Sequence, residues 1–368
     1  MSAPPLLTIE SKSTSALLPE SERERRLENP GFGQFFSDHM VSARWTSEKG
    51  WHDAELVPYG PLSIDPAAKV LHYGQSVFEG LKAYRQPDGT VAAFRPFANA
   101  ERFRRSARRL AMPEMPEELF MAAVETLVRE DRKWVPSGPE QSLYLRPLMF
   151  AMEAGLGVQP AEEHRFLLIA SPVGNYFEKD VRPVSAWVSQ DYVRAVPGGT
   201  GDAKCAGNYA ASFAAQVQGK ENGCDQVVWL DGTERRWVEE MGAMNLFFVH
   251  GSGADARLLT PRLSGALLPG IVRDSLCTLA EDLGHPCSEE SISLDSWRTG
   301  CADGSLTEAF ACGTAAALTP VGEVKTAAGH WRVGDGEPGP LTMRLRRALL
   351  DIQFGAAPDR HGWLHPLL

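Results

Sequence analysis

A turn-rich segment from Ser171 to Pro183 constrains the fold most, because it separates two stretches that can each build a core. It follows a nearly continuous apolar run, Phe166 to Ala170, which predicts a buried strand. The chain has 368 residues, and single cores usually stop growing beyond about 250 residues. We therefore predict a small domain over residues 31–174, a linker over residues 175–184 and a large domain over residues 185–368.

Strand-like and helical patterns are grouped along the chain and do not alternate strictly. Residues 45–94 alternate short apolar runs with turn signals and predict strands, whereas residues 99–110 carry apolar side chains at helical spacing. We predict a helix over about residues 208–219, and Gly270 opens a further helix that Gly284 is placed to end. Asp231-Gly232 between apolar runs predicts a tight two-residue hairpin turn. This grouping indicates an α+β architecture.

The first 30 residues mix Ser, Pro and charged residues without periodicity, so we expect a mobile or loosely docked N-terminal extension outside the core. They lack the apolar run of a signal peptide, and no later stretch reaches the roughly 18 uninterrupted apolar residues of a membrane helix. We expect a cytoplasmic protein that has no membrane partner.

The charge balance and the cysteines exclude other classes of protein. Lys and Arg number 37 against 47 acidic residues, so a net charge of −10 argues against nucleic acid as a partner. The six cysteines form no CxxC pair, so we expect reduced thiols and no metal site.

Lys204 is the first candidate for chemistry. The glycines at residues 198–201 ahead of it are similar to a phosphate-binding loop, but Ala203 and Cys205 stand where that loop needs Gly and a hydroxyl residue. A nucleotide triphosphatase is excluded. A loop lysine among small residues suits Schiff-base chemistry with an aldehyde-bearing ring, although a solvated loop lysine is by itself the commoner outcome.

Three further features could bind an anion or hold a carboxylate inward. Gly270 precedes a helix start whose free amides suit a phosphate, and residues 311–316 form a small-residue turn whose amides can reach an anion. Glu239 and Glu240 follow a strand. Each has an ordinary explanation, since helix starts are common, small turns pack tightly and paired acids are usually exposed.

These features become specific through their order along the chain. The motifs, from the N-terminus onward, are Phe32-Gly33, Ser37-Asp38-His39-Met40, Leu71-His72-Tyr73-Gly74-Gln75-Ser76-Val77-Phe78-Glu79-Gly80-Leu81-Lys82-Ala83-Tyr84, Leu143-Tyr144-Leu145-Arg146-Pro147-Leu148, Lys204-Cys205-Ala206-Gly207-Asn208-Tyr209, Glu240 ahead of Asn245-Leu246-Phe247, Leu268-Pro269-Gly270-Ile271-Val272-Arg273-Asp274 and Gly313-Thr314-Ala315-Ala316. In this order they resemble the branched-chain amino acid aminotransferases, over roughly residues 30 to 365.

The resemblance implies a two-domain fold-type IV enzyme with a smaller α/β domain, a larger pseudo-barrel domain and pyridoxal 5'-phosphate as cofactor. It also implies a homodimer. By this resemblance Lys204 holds the cofactor as a Schiff base and moves the proton at the substrate Cα. Glu240 faces the pyridine nitrogen, and Tyr209 donates a hydrogen bond to the phenolate oxygen of the cofactor.

The same resemblance assigns the cofactor's phosphate to Arg102, to the amides of Ile271 and Val272, and to Thr314. Many relatives carry Thr at the position of Val272, so one side-chain hydroxyl contact is lost. We expect cofactor retention to be weaker by about one neutral hydrogen bond, roughly 1 kcal/mol.

The resemblance also assigns a substrate pocket. Its residues are Phe32, Phe78, Tyr144, Arg146, Tyr209, Thr314, Ala315 and Ala316. The amides at Thr314, Ala315 and Ala316 and the Tyr144 hydroxyl hold the α-carboxylate, while the aromatic rings face the apolar side chain. Arg146 is the candidate cation for the side-chain carboxylate of glutamate.

The implied reaction is a reversible ping-pong transfer of the amino group from L-Leu, L-Ile or L-Val to 2-oxoglutarate, giving a branched-chain 2-oxo acid and L-glutamate. A D-amino acid aminotransferase and an aminodeoxychorismate lyase of the same fold are the enzymatic alternatives. A non-enzymatic pyridoxal-phosphate-binding protein is a third alternative, which the joint presence of Lys204, Glu240 and Tyr209 disfavours.

Overall fold

The computed structural model describes residues 8–14, 17–174 and 181–368. The chain divides into two compact units. Unit 1 comprises Met1–Tyr176, Ala203–Ala206 and Ile352–Leu368, and unit 2 comprises Phe177–Asp202 and Gly207–Asp351. Part of the predicted linker, residues 175–180, lies outside the described residues, as do residues 1–7, 15 and 16 of the predicted extension.

Unit 1 is built on a sheet that is antiparallel except for its edge strand β1, with helices packed against it. Its strands are β1 (Glu10–Ser11), β2 (His39–Thr46), β3 (Gly50–Pro58), β4 (Ser76–Phe78), β5 (Leu81–Arg85), β6 (Val91–Phe94), β7 (Ser142–Ala151) and β8 (Glu163–Val173), and its helices are α1 (Glu20–Glu28), α2 (Lys69–Tyr73), α3 (Pro96–Arg109) and α4 (Glu117–Glu130). The strand order is β1-β3-β2-β8-β7-β5-β6, and β4 pairs with β7.

The core of unit 1 lies between this sheet and helices α3 and α4. The ring of Phe103 on α3 packs 5.7 Å from Phe120 on α4 and 5.9 Å from Phe166 on β8, measured between centroids. All three side chains are at most 1% exposed. The apolar spacing over residues 99–110 therefore predicted the buried face of α3 correctly, because that spacing places one side chain on the same face every turn.

Where the structure describes it, the N-terminal extension is docked on unit 1 and packs against the outside of its core. Strand β1 pairs in parallel with β3, and the Leu18 amide donates to the Asp38 carboxylate over 3.0 Å. Ile9, Leu18 and Leu27 pack against the core of unit 1. The segment has no periodicity of its own because partners distant in the chain hold it in place.

Unit 2 follows the same α+β pattern with a different sheet. Its strands are β9 (Val184–Ser189), β10 (Gln226–Leu230), β11 (Val238–Met241), β12 (Met244–His250), β13 (Arg257–Pro261), β14 (Cys287–Glu290), β15 (Leu306–Gly313), β16 (Ala317–Thr326) and β17 (Gly329–Arg332), and its helices are α5 (Ala206–Ala210), α6 (Phe213–Glu221), α7 (Ile271–Asp282), α8 (Leu294–Asp303) and α9 (Pro340–Gln353). A last strand, β18 (Leu364–Pro366), returns to unit 1 and pairs with β6.

Six of the described strands of unit 2 close into a ring. Their order is β11-β10-β9-β16-β15-β12, and β12 pairs with β11 to complete the circuit. Closure removes the exposed edges that an open sheet would leave. On these strands, Val228, Leu246 and Phe248 are fully buried. Together the two sheets and their helices confirm the predicted α+β class.

Two local predictions in unit 2 need correction. The helix expected from residue 208 to residue 219 is two helices, α5 and α6. Asp231-Gly232 does not form a two-residue turn, because the Asp231 carboxylate accepts hydrogen bonds from the amides of residues 233, 234, 236 and 237 and organises a longer loop. Burial favours a higher pKa for Asp231, but these backbone donors outweigh it and hold its pKa below the ordinary value.

Helix α7 matches its prediction closely, since it begins at Ile271 after Gly270 and Gly284 follows its end with a φ of +84°. Among the described residues, no helix is both long and apolar enough to cross a membrane.

Candidate active site

Lys204 lies against β4 in unit 1. Its backbone carbonyl accepts from the Phe78 amide over 3.0 Å, and its amide donates to the Ser106 hydroxyl on α3 over 2.9 Å. These two hydrogen bonds fix the backbone of the lysine that the sequence predicted. Its side chain is half-buried, and the ammonium group is 4.9 Å from the centroid of the Phe78 ring.

Glu79, the residue after Phe78, is fully buried and forms a bidentate ion pair with Arg102 on α3. Arg102 Nε donates to Glu79 Oε1 over 2.6 Å, and Nη2 donates to Oε2 over 2.9 Å. Asn99 Nδ2 adds a hydrogen bond of 2.7 Å. Burial by itself would raise the pKa of Glu79, but the charge and hydrogen bonds of Arg102, with the charge of Lys204, keep it below the ordinary value.

The predicted substrate residues of unit 1 form one connected group. The Phe32 ring packs edge-on to Tyr144 at 5.2 Å, and Arg146 Nη2 donates to the Tyr144 hydroxyl over 3.1 Å. The Arg146 guanidinium also lies 4.9 Å from the centre of the Phe78 ring. The Phe78 ring therefore lies close to both cations, Lys204 and Arg146.

Glu240, on β11 of unit 2, is buried and held by three donors. Arg194 Nε donates to its Oε2 over 2.6 Å, while Asn245 Nδ2 and the Leu268 amide donate to Oε1 over 3.2 and 2.8 Å. Its neighbour Glu239 is only 6% exposed. Burial and the charge of Glu240 raise the pKa of Glu239 to about 7. The ordinary explanation of this pair, two exposed acids, was therefore wrong.

The remaining predicted residues of unit 2 lie at one helix start, on one short helix and in one turn. Ile271 and Val272 are the first two residues of α7. Residues 314–316 connect β15 to β16. Tyr209 is half-buried on α5.

The sheet register brings two of these features to the same end of the ring. Glu240 pairs with Asn245, and Asn245 pairs with Cys312 on the neighbouring strand. The turn at residues 314–316 starts two residues beyond Cys312. Asn245 Nδ2 also donates to the Leu268 carbonyl over 3.0 Å, two residues before the N-cap of α7. One end of the unit 2 ring therefore carries the carboxylate, the small-residue turn and the segment that leads into the helix start.

Sequence reasoning did not identify Arg194, Asn245 or Glu79 as functional residues, although two of them lie in the quoted motifs. The available signal was that a buried carboxylate requires a cation or several donors. That rule gives the need for a partner, but it does not say which arginine supplies it. Among the described residues, no cluster of His, Cys, Asp or Glu could hold a metal ion.

The chain matches known proteins along most of its length. The sequence model of the family Amino-transferase class IV matches residues 76–324. The chain is 57% identical over 361 residues to the probable branched-chain-amino-acid aminotransferase of Streptomyces coelicolor, covering 98% of this chain and 99% of that protein. It is 58% identical over 346 residues to the branched-chain-amino-acid aminotransferase of Mycolicibacterium smegmatis, covering 94% of each.

The fold is similar to that of a solved enzyme, the branched-chain amino acid aminotransferase of Escherichia coli. The TM-score is 0.73 with 28% identity, and the match covers 89% of this chain and 100% of that chain. Other solved branched-chain amino acid aminotransferases that match include one with pyridoxamine 5'-phosphate. This likeness confirms the fold-type IV architecture implied by the motifs.

Proposed function

We propose that this chain, which belongs to the class IV aminotransferase family, transfers the amino group of L-Leu, L-Ile or L-Val reversibly to 2-oxoglutarate. The observation that carries the proposal is identity of 57–58% to branched-chain-amino-acid aminotransferases over at least 94% of both chains. The products are a branched-chain 2-oxo acid and L-glutamate, formed in two half-reactions that use the same site.

The donor set of the two units fits pyridoxal 5'-phosphate. Unit 1 offers an amine, Lys204, for an aldehyde and a buried cation, Arg102, for a phosphate. Unit 2 offers a buried carboxylate, Glu240, for a protonated pyridine nitrogen and the start of α7 for phosphate oxygens. When bound, this cofactor supplies an electron sink for the charge that develops at the substrate Cα.

Each of the residues that hold the cofactor then has its own role. Lys204 would anchor the cofactor through its amine and would move the proton at the substrate Cα. Arg102, the amides of Ile271 and Val272, and Thr314 hold the phosphate. Glu79 supports this role by fixing the Arg102 guanidinium through two hydrogen bonds. Tyr209 donates to the phenolate oxygen of the cofactor.

The substrate is held by a polar and an apolar set of groups. The amides at residues 314–316 and the Tyr144 hydroxyl take the α-carboxylate, and Phe32, Phe78 and Tyr209 face the apolar side chain. Arg146 takes the side-chain carboxylate of glutamate. The contact of Arg146 with the Phe78 ring supports this dual use, because it places a cation for a carboxylate beside an aromatic ring for an apolar side chain.

We also propose that the protein works in the cytoplasm as a homodimer. The six cysteines are all free thiols in the structure, which suits a reducing compartment. Size-exclusion chromatography with light scattering tests the dimer, and a mass near twice 40.2 kDa is expected.

Visible absorption of the purified protein tests the activity. We expect a cofactor band that disappears when L-leucine is added without a 2-oxo acid and returns with 2-oxoglutarate. Lys204→Ala should lose the band and the covalent trapping of the cofactor by borohydride, whereas Lys220→Ala, a matched change at an exposed lysine on α6, should keep both.

Two outcomes would contradict the proposal at different points. If the wild-type protein shows no band and traps no cofactor, the cofactor assignment fails. If the band is present but L-leucine leaves it unchanged, the substrate assignment fails, and D-alanine and aminodeoxychorismate separate the two alternative activities.

A further inference from the structure

Arg194 occupies a buried position in unit 2 that no motif marked. Its side chain is 9% exposed, and it reaches one carboxylate and two backbone carbonyls. Nε donates to Glu240 Oε2 over 2.6 Å, Nη2 to the Gly201 carbonyl over 3.0 Å, and Nη1 to the Gly201 and Ala266 carbonyls over 3.3 Å each. The guanidinium is thus locked by backbone acceptors, and its shortest contact is to the carboxylate.

The donors around Glu240 are divided unequally between its two oxygens. Oε1 accepts from Asn245 Nδ2 and from the Leu268 amide, whereas Oε2 accepts from Arg194 Nε alone among the described residues. Each carboxylate oxygen offers about two lone-pair sites. Oε1 is therefore satisfied, and the remaining acceptor site of this carboxylate is on Oε2.

We propose that Arg194 is the positioning residue of Glu240: it turns Oε2 toward an incoming N–H donor and shares that oxygen with it. This inference rests on the proposed function, in which the donor is the pyridine nitrogen of the cofactor. Because Arg194 is held by Gly201 and Ala266, it can hold the carboxylate in one rotamer before any ligand binds. A charge-assisted contact of this length is among the stronger hydrogen bonds in proteins.

The titratable groups around Glu240 determine what a measurement as a function of pH should show. The charged and titratable groups close to Glu240 are Arg194, Glu239 next to it on β11, and the Cys312 thiol on β15, whose pKa is raised by burial. Asn245 contributes a neutral donor. A change that removes Arg194 therefore leaves two adjacent carboxyl groups without their nearest cation, and the absorption of the bound cofactor as a function of pH should respond.

The test is a double-mutant cycle read by cofactor binding. Apo forms of the wild type, Arg194→Met, Glu240→Gln and the double variant are titrated with pyridoxal 5'-phosphate by equilibrium dialysis. Loss of one charge-assisted hydrogen bond predicts about tenfold weaker binding for Arg194→Met. If Arg194 acts through Glu240, the double variant should bind no more than about twofold worse than Glu240→Gln alone.

A second readout is the pH titration of the cofactor band. Arg194→Met should shift the midpoint of this titration. Arg194→Lys keeps the charge but lacks the planar guanidinium, so its midpoint should lie between those of Arg194→Met and the wild type. The control is Arg298→Met, at an exposed arginine on α8 that forms an ion pair with Asp295. It should titrate and bind like the wild type.

Binding within about twofold of wild type together with an unmoved titration in Arg194→Met overturns the proposal. Additive losses in the double variant overturn it as well, since they indicate a role in folding alone. If Arg194→Met does not fold, Arg194→Lys carries the same cycle: weaker binding that disappears in the Glu240→Gln background supports the proposal, and unchanged binding contradicts it. If the wild type itself binds no cofactor, the proposed function has failed.

Discussion

Glu79 and Arg102 form a bidentate ion pair, with contacts of 2.6 and 2.9 Å, in which the two side chains are 0% and 5% exposed. Breaking a buried pair by removing one partner leaves an uncompensated charge. Glu79→Leu should therefore lower the free energy of unfolding by about 3–5 kcal/mol. Urea denaturation of the apo protein at neutral pH measures it.

The double variant Glu79→Leu, Arg102→Met is the control for that prediction. Because it removes both charges, it should be more stable than Glu79→Leu alone. A double variant as unstable as the single one would mean that the loss comes from packing and not from the buried charge.

Gly80 lies directly under Tyr144, and a Cβ at this position would collide with the Tyr144 hydroxyl. Gly80→Ala should displace that hydroxyl and so raise the KM for L-leucine by about tenfold, the cost of one well-placed hydrogen bond. Steady-state kinetics with L-leucine and with L-glutamate as the amino donor measures this change in KM. Gly60→Ala is the matched control, because a Cβ there meets open space. An unchanged KM in Gly80→Ala would remove Tyr144 from the carboxylate site.

His164 on β8 is 1% exposed, and neither ring nitrogen has a hydrogen-bond partner among the described residues. Burial lowers its pKa to about 4. Between pH 6.5, near the ordinary pKa, and pH 4, the His164 imidazole is protonated in the unfolded chain but largely neutral in the folded chain. The free energy of unfolding should therefore fall as the pH falls. The loss amounts to about 2–3 kcal/mol.

Urea denaturation at about pH 7 and about pH 4.5 measures how the free energy of unfolding changes with pH, because most of the proton uptake occurs between these two values. His164→Gln cannot take up the proton and should flatten the dependence on pH, while His330→Gln, at an exposed position on β17, should not. Equal slopes in wild type and His164→Gln would show that other groups dominate.

Glu308 on β15 caps the start of α9. Its carboxylate accepts from the Leu341 amide over 3.0 Å, and from the Thr342 amide and hydroxyl over 2.8 and 2.7 Å. Glu308→Ala should cost about 2 kcal/mol of unfolding free energy, because it removes a charged cap and leaves those donors buried. Glu308→Gln keeps an acceptor and should cost less. If the two variants lose equal stability in thermal melts, the cap does not depend on hydrogen bonding.

Val272 is the second residue of α7 and is 6% exposed. Val272→Thr has the same shape but buries a hydroxyl, so the apo protein should lose about 1 kcal/mol of stability. If the helix start holds a phosphate, the hydroxyl gains a partner on binding, and the dissociation constant of pyridoxal 5'-phosphate should fall about fivefold. Val324→Thr, in the core of unit 2, should lose stability without tighter binding. Weaker binding in Val272→Thr would place the phosphate elsewhere.

Local patterns in the sequence were sufficient to predict several helices and strands. The apolar spacing of α3 and α7, and the apolar run of β8, depend on neighbours within a few residues, so they can be recognised in the chain itself. The order of the motifs indicated the aminotransferase family, and the role predicted for Lys204 came from that resemblance, since the small residues around it also suit a solvated loop lysine.

Only the tertiary structure decided which charged side chains form ion pairs and which strands pair to close the sheet. Arg194 and Glu240 are 46 residues apart, and nothing local distinguishes Arg194 from the other arginines. The same holds for the pairing of β9 with β16, which are far apart in the chain and without which the ring would be open, and for the docking of the N-terminal segment on β3. The physical reason is one of range: periodicity and turn chemistry depend on adjacent residues, whereas the partner of a buried charge and the closure of a sheet depend on the packing of the whole fold.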